Sequence, residues 1–354
     1  MKLIIQIPCL NEAEQLPLVL AQLPRALPGV DCVEWLVIDD GSTDKTVEVA
    51  NRHGVDHVVR LSTNKGLATA FQAGLDASLK LGADVIVNTD GDNQYRARDI
   101  PRLIEPLLSG RADMVIGDRE VETLRGLPTF KRRLQRVGGA VVRSASRTAV
   151  PDATSGFRAY NREAALGVQV VSQFTYTLET IIQAGRTQVA LEHVPIGTNP
   201  ETRESRLFPS VWTYVRRNAL AIVRVYSLYE PLRIFLFAAA IVGLAASIVW
   251  GRLAYLHLIG EGAGHVQAVI LGAVLLIVAV QLAALGVLAD ILAANRILAQ
   301  RTLERVRRVE LALGVEPSHY EPGVAPPPPR EAAMVRAAPA GDGAEEPESQ
   351  PARR

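Results

Sequence analysis

The stretch Val85-Ile86-Val87-Asn88-Thr89-Asp90-Gly91-Asp92-Asn93-Gln94 decides how this chain is read. An apolar β-type run stops at two carboxylates in alternate positions. In a loop leaving a buried strand, Asp90 and Asp92 can both turn toward one cation. Gly91 lets the backbone approach closely, and Gln94 can add a carbonyl oxygen. Mg2+ and Mn2+ take oxygen ligands and are commonly held through one or two carboxylates plus substrate phosphates. A simple Asp-, Gly- and Asn-rich turn has the same composition, so the surroundings must decide.

Upstream, Leu3–Ile7, Val33–Ile38 and Val58-Val59 read as strands, with Val85–Thr89 the fourth and Met114–Ile116 the fifth. Helical patterns fall between them, around Leu16–Leu23, Thr43–His53, Gly66–Leu81 and Asp99–Ser109. This alternation predicts an α/β fold, a mostly parallel sheet with helices on both faces. Ligands of such folds bind at the carboxyl ends of the strands. The polar clusters at 11–14, 39–44 and 90–94 all fall there. Pro8, Leu10, Asn11 and Glu12 end the first strand. Asp39 and Asp40 end the second, where an acidic side chain can accept hydrogen bonds from a nucleobase or ribose. Thr43 and Asp44 suit a helix cap. Lys65 can meet a phosphate or stand as a solvated lysine.

Residues 208–232 set Phe208, Val211, Trp212, Val215, Leu220, Val223 and Tyr226 against Arg216, Arg217 and Arg224, the pattern of an interfacial amphipathic helix. A helix packed on the globular domain has the same pattern. Residues 233–290 contain two membrane-length runs. Ile234–Trp250 is uncharged for 17 residues and Val266–Ala289 for 24; the second spans roughly 36 Å as a helix. Arginines flank the pair on both outer sides while the intervening loop holds only Arg252. The expectation is a multi-pass protein of the inner (plasma) membrane with its N-terminal globular domain and both termini in the cytosol. Small residues Gly243, Ala246, Gly272 and Gly286 can let the spans pack against neighbours, including a second copy as a homo-oligomer. A basic cytosolic helix is expected over 291–314 and a disordered tail over 315–354, where Pro326–Pro329 begins a low-complexity segment.

The 354 residues carry a formal net charge of +1, which gives no reason to expect nucleic-acid binding. Cys9 and Cys32 have no metal or disulfide spacing and read as reduced thiols.

The series Pro8-Cys9-Leu10-Asn11-Glu12, Asp39-Asp40-Gly41-Ser42-Thr43-Asp44, Asn64-Lys65-Gly66, Asp90-Gly91-Asp92-Asn93-Gln94 and Ser155-Gly156-Phe157-Arg158 resembles glycosyltransferase family 2. Within that family the chain looks like the polyprenyl-phosphate sugar transferases. The likeness covers about residues 1–230. It implies a GT-A fold over 1–207, a nucleotide-sugar donor (UDP- or GDP-linked glucose or mannose), Mg2+ or Mn2+, inversion at the anomeric carbon and a polyprenyl-phosphate acceptor. Asp90, Asp92 and Gln94 match the family's metal motif, and Pro8, Glu12 and Asp39 its nucleotide contacts. Arg119 matches a basic residue near the diphosphate, and Arg203-Glu204-Ser205-Arg206 looks like its acceptor-phosphate segment. Gly91 and Asn93 depart from the Ala and Leu common in the motif. No Arg-Trp pair occurs, so the signature of processive polysaccharide synthases is absent.

The acceptor reading also has a physical basis. A phosphate monoester has a second pKa of about 6 and brings its own anionic nucleophile, so what the site must supply is cationic positioning near the bilayer and relief for the departing diphosphate. Arg203 and Arg206 precede the interfacial segment, and Lys131, Arg132, Arg133 and Arg136 form a second basic cluster or a solvated face. Asp152 is a base, an acceptor aligner or a turn residue, and Glu179 a second candidate base. The alternatives are transfer to a glycolipid or growing polysaccharide and an inactive nucleotide-binding membrane scaffold.

Overall fold

In the computed structural model the described residues are 1–119, 146, 148, 150–170, 176–200, 230–260 and 264–323. Arg203, Arg206, the 131–136 cluster, the interfacial segment up to 229 and the tail from 324 lie outside them.

Four parallel strands form the centre: β1 (Lys2–Cys9), β2 (Cys32–Asp39), β3 (His57–Arg60) and β4 (Val85–Asn88). β1 lies between β2 and β4 and is covered on both faces, so it reads as a continuous apolar run rather than an alternating one. Its side chains still part by the period of two. Leu3, Ile5 and Ile7 enter one core layer with α1 (Leu16–Gln22), α2 (Thr46–Arg52) and α4 (Ile100–Leu108), whereas Ile4 enters the other against α3 (Leu67–Lys80).

The fifth expected strand, β5 (Met114–Asp118), forms but does not neighbour β4. β6 (Arg158–Asn161) runs antiparallel between them, and β7 (Leu191–Pro195) adds in parallel beyond β5. β6 escapes sequence reading because it is only four residues long and opens on an arginine, yet Arg158 is fully buried. α5 (Arg162–Gly167) and α6 (Thr177–Thr187) complete this side.

Two helices follow, α7 (Pro231–Leu258) and α8 (Val266–Ala312), both long and apolar enough to cross a membrane. Phe237, Leu244, Ile248 and Leu288 are all exposed, as lipid-facing side chains would be. The small residues serve the contact within this hairpin: Gly272 lies under Trp250, Gly286 against Phe235, and Gly243 faces Ala279. These are contacts between the two helices of one chain.

Two boundaries differ from the expectation. The basic helix of 291–314 is no separate element: α8 runs unbroken for 47 residues, roughly 70 Å. Nor is the chain structureless from 315, because β8 (Tyr320–Pro322) pairs antiparallel with β3 at the sheet edge. Before reaching it, α8 packs on the globular domain, where Arg307 Nη1 donates to the Leu166 and Val168 carbonyls at 3.1 and 2.7 Å.

Candidate active site

The loops after β1, β2 and β4 converge because their strands are adjacent and parallel. Asn11, at φ 55°, turns the chain sharply after β1. Its Oδ1 accepts from Thr43 N at 2.8 Å, and its own N donates to Ser42 Oγ at 2.9 Å. Glu12 N donates to Thr46 Oγ1 at 2.9 Å, and Asp44 accepts from Thr46 N and Ala13 N, although the N-cap position of α2 is Lys45 and not Asp44. The Glu12 side chain is buried and lies against Gly91.

Asp39 and Asp40 are both buried but do different things. Asp40 receives Lys65 N at 2.8 Å and Gly66 N at 2.9 Å, so its carboxylate shapes the 64–66 loop. The Lys65 side chain remains exposed. Asp39 Oδ1 receives Ser42 N at 2.9 Å, and Arg60 Nε stands 3.7 Å from Oδ2. Between these carboxylates and Ser42, Gly41 adopts φ +73° with Thr63 so close that a Cβ would meet its carbonyl carbon at 2.5 Å. Only glycine suits both conditions.

Asp90 sits deepest. Its Oδ1 is shut away from solvent and accepts no hydrogen bond among the described residues. Burial, and then the charge of Asp92, push its carboxyl up to about 7, although Arg119 and Arg158 pull the other way. The backbone of Gly156 presses on it: a Cβ there would stand 2.9 Å from Asp90 Oδ2 and 2.7 Å from the Tyr176 hydroxyl. Three side chains hold that glycine. Asn88 Nδ2 donates to its carbonyl at 2.8 Å, the Tyr176 hydroxyl lies 3.4 Å from the same oxygen, and Gly156 N donates to Tyr95 Oη at 2.8 Å. Asn88 itself accepts from Gln6 Nε2 at 2.8 Å. The Ser155-Gly156-Phe157-Arg158 segment is thus the wall behind Asp90. Sequence reading missed Asn88, Tyr95 and Tyr176 as members of the site. The one available signal was Asn88, an amide closing an apolar strand.

Asp92 Oδ1 receives Gln94 N at 3.2 Å, and Asn93 takes φ 60°. Beside this loop, Arg119 grips Asp152 with two donors, Nε at 2.7 Å and Nη2 at 3.1 Å, and reaches Thr154 Oγ1 at 2.8 Å. Burial raises the Asp152 carboxyl, but the Arg119 bonds and charge, with Thr154, outweigh that and leave it below the ordinary range. A carboxylate so held is a weak base and a firm anchor for Arg119. Glu179 is buried in α6 and pairs with Arg296 of α8, so it is tied to the helix pair. Cys9 and Cys32 are both free thiols.

Among the described residues no group of three or more His, Cys, Asp or Glu side chains is arranged to hold a metal alone. Asp90 and Asp92 nonetheless fit a hard cation that completes its shell with ligand phosphates. The buried Oδ1 of Asp90 has no hydrogen-bond partner among the described residues, and a divalent charge would offset both causes of its raised pKa.

Comparison with known proteins bears on the family and the fold. The profile of Glycosyl transferase family 2 matches residues 4–167. An undecaprenyl-phosphate mannosyltransferase of Micrococcus luteus is 34% identical over 169 residues, 46% of this chain and 68% of that protein. A polyprenol monophosphomannose synthase of Mycolicibacterium smegmatis is 34% identical over 164 residues, 44% of this chain and 60% of the relative. Among solved structures, glucosyl-3-phosphoglycerate synthase from Mycobacterium tuberculosis, in complex with Mn2+, UDP-glucose and phosphoglyceric acid, superposes with a TM-score of 0.51. That match has 22% identity and covers 64% of this chain and 80% of the other, which speaks to the fold. With a GT-A-type sheet, strand-end carboxylates in the expected order and relatives of this closeness, the chain belongs to glycosyl transferase family 2 and is a glycosyltransferase.

Proposed function

We propose that this enzyme transfers one hexose, mannose or glucose, from a UDP- or GDP-sugar to a polyprenyl phosphate at the cytosolic face of the membrane, with inversion at the anomeric carbon. Mannose stands first because the two relatives above are named for mannosyl chemistry. The observation that carries the reading is the Asp90 carboxylate. It stands at the carboxyl edge of parallel strands, backed by Gly156, with its Oδ1 shut away from solvent and without a hydrogen-bond partner among the described residues.

Asp90, Asp92 and the Gln94 side chain would hold Mg2+ or Mn2+, which supplies charge compensation for a departing nucleoside diphosphate. Glu12 and Asp39 face the nucleotide side of the same edge, as do Pro8, Leu10 and Asn11 where β1 ends. Asp40 serves them indirectly by fixing the loop that carries Lys65. Arg119, locked by Asp152, offers a preorganised positive charge near the diphosphate, and a fork so held needs no reorganisation as charge develops. Arg203 and Arg206 are assigned to the acceptor phosphate. That phosphate is largely dianionic at neutral pH, so it attacks the anomeric carbon without a general base. Asp152 therefore acts as the aligner of Arg119 rather than as a proton acceptor.

The membrane arrangement has its own support. Arg186 of α6 pairs with Glu230 at 2.8 Å, immediately before α7, and Glu179 of α6 pairs with Arg296 in α8. Both outer ends of the hairpin are thereby tied to one helix of the catalytic domain, as a multi-pass protein with both termini on the cytosolic side requires.

The test uses the full chain in detergent with undecaprenyl phosphate, Mn2+ and labelled GDP-mannose, UDP-glucose or other common donors. Labelled lipid is expected with one of them. Asp92→Ala should lower its formation about a thousandfold, comparable to losing a principal electrostatic stabiliser. No labelled lipid with any donor overturns the reading.

A further inference from the structure

The family resemblance left Asn93 unexplained, and the fold gives it a setting. Asn93 Oδ1 receives two donors, Gln22 Nε2 at 3.0 Å from the end of α1 and Asn199 Nδ2 at 3.2 Å from the segment after β7. Asn199 does more. Its Nδ2 also stands 3.0 Å from the Asn93 carbonyl, and its backbone N donates to the Gln94 carbonyl at 2.8 Å. Tyr95 and Thr198 form a β-bridge alongside. The segment that carries Asn199 is itself pinned, with Gly197 N on Asp99 Oδ2 and Ile196 N on Asp118 O, both at 2.8 Å.

We infer that Asn199 is a positioning residue for the metal loop. It clasps Asn93 and Gln94, and through them sets where Asp92 and the Gln94 side chain stand. Asn93 adopts a left-handed conformation that asparagine tolerates better than most residues, and a clasp from outside the loop keeps the turn in that one form. The hydrogen bonds of Asn199 itself go to Gln22, Asn93, Gln94 and Tyr95. Its effect on a bound cation is preorganisation: without it the loop must be ordered by the ion, and that ordering is subtracted from affinity. This inference rests on the metal reading of Asp90 and Asp92.

The experiment measures Mn2+ binding by electron paramagnetic resonance in the presence of UDP, with the full-length protein in detergent and no acceptor. Asn199→Ala should weaken Mn2+ about tenfold, the equivalent of about 1.4 kcal/mol, while its thermal midpoint without metal stays near that of the parent. Gln22→Ala removes one of the two donors to Asn93 and should weaken Mn2+ by a smaller factor. In turnover, the Mn2+ concentration for half-maximal rate should rise while kcat at saturating Mn2+ is largely retained. Asn199→Ala with Mn2+ affinity within about twofold of the parent overturns the inference and leaves the metal reading standing. A parent protein that binds no Mn2+ with UDP overturns both. A fall in thermal midpoint that accounts for the lost affinity, with Gln22→Ala inert, marks Asn199 as merely structural and also overturns it.

Discussion

At the carboxyl edge of the sheet, Asp90 hides one carboxylate oxygen from solvent and gives it no hydrogen bond among the described residues. On the face where α8 meets α5, Arg307 is also buried, yet its Nη1 reaches two backbone carbonyls and Asp76 stands 4.0 Å from its Nε. Both regions bury charge, at opposite costs. A buried group without partners is destabilising, so a fold keeps one where a ligand will complete it. A buried group with its partners in place is part of the scaffold. The contrast separates the candidate site from the surface that fixes the globular domain against the two long apolar helices.

The sharpest break of that contrast is Asp90→Asn. It preserves shape and removes the charge, so transfer should fall about a thousandfold while the thermal midpoint holds or rises. A drop in midpoint with activity retained would make Asp90 a scaffold residue. Arg307→Ala should do the reverse. The Leu166 and Val168 carbonyls lose their donor, at about 1–3 kcal/mol, seen as a lower midpoint with kcat preserved in the remaining folded enzyme. The smallest effect concerns Glu34, near the docked β8. His57 Nε2 lies 2.7 Å from its Oε2, and His57 Nδ1 3.0 Å from the Tyr320 hydroxyl. Burial raises the Glu34 carboxyl, but the hydrogen bonds from His57 and Lys2 outweigh it and hold it down to about 2. A depressed carboxyl contributes its stability fully above its unfolded value near 4.5, and that contribution is lost as pH falls through about 2. The midpoint should therefore decline over this acid range, and Glu34→Gln should flatten the decline.

Much of the strand-end layout of the candidate site was legible in sequence because parallel strands write themselves as apolar runs ending in polar clusters. Val85–Val87 before Asp90, and Val33–Ile38 before Asp39, needed no tertiary information. What was not legible depended on contacts distant along the chain. Asp40 reads as a ligand contact in sequence, and in the fold it anchors Lys65 and Gly66. Asp152 reads as a candidate base, and in the fold it is held by Arg119. Tyr176 has no local mark as a neighbour of Asp90, since it arrives from 86 positions away across the sheet order.

By itself the sequence determined the alternation of strands and helices, the acidic strand ends and the two apolar spans, all of them set by local periodicity and composition. Only the tertiary structure decided that β6 enters antiparallel between β4 and β5, that Gly156 backs Asp90, and that the chain after α8 returns to add β8 beside β3. These outcomes turn on which surfaces can be buried together and which polar groups find partners there. Such choices couple residues far apart in the chain, so no window of sequence holds them.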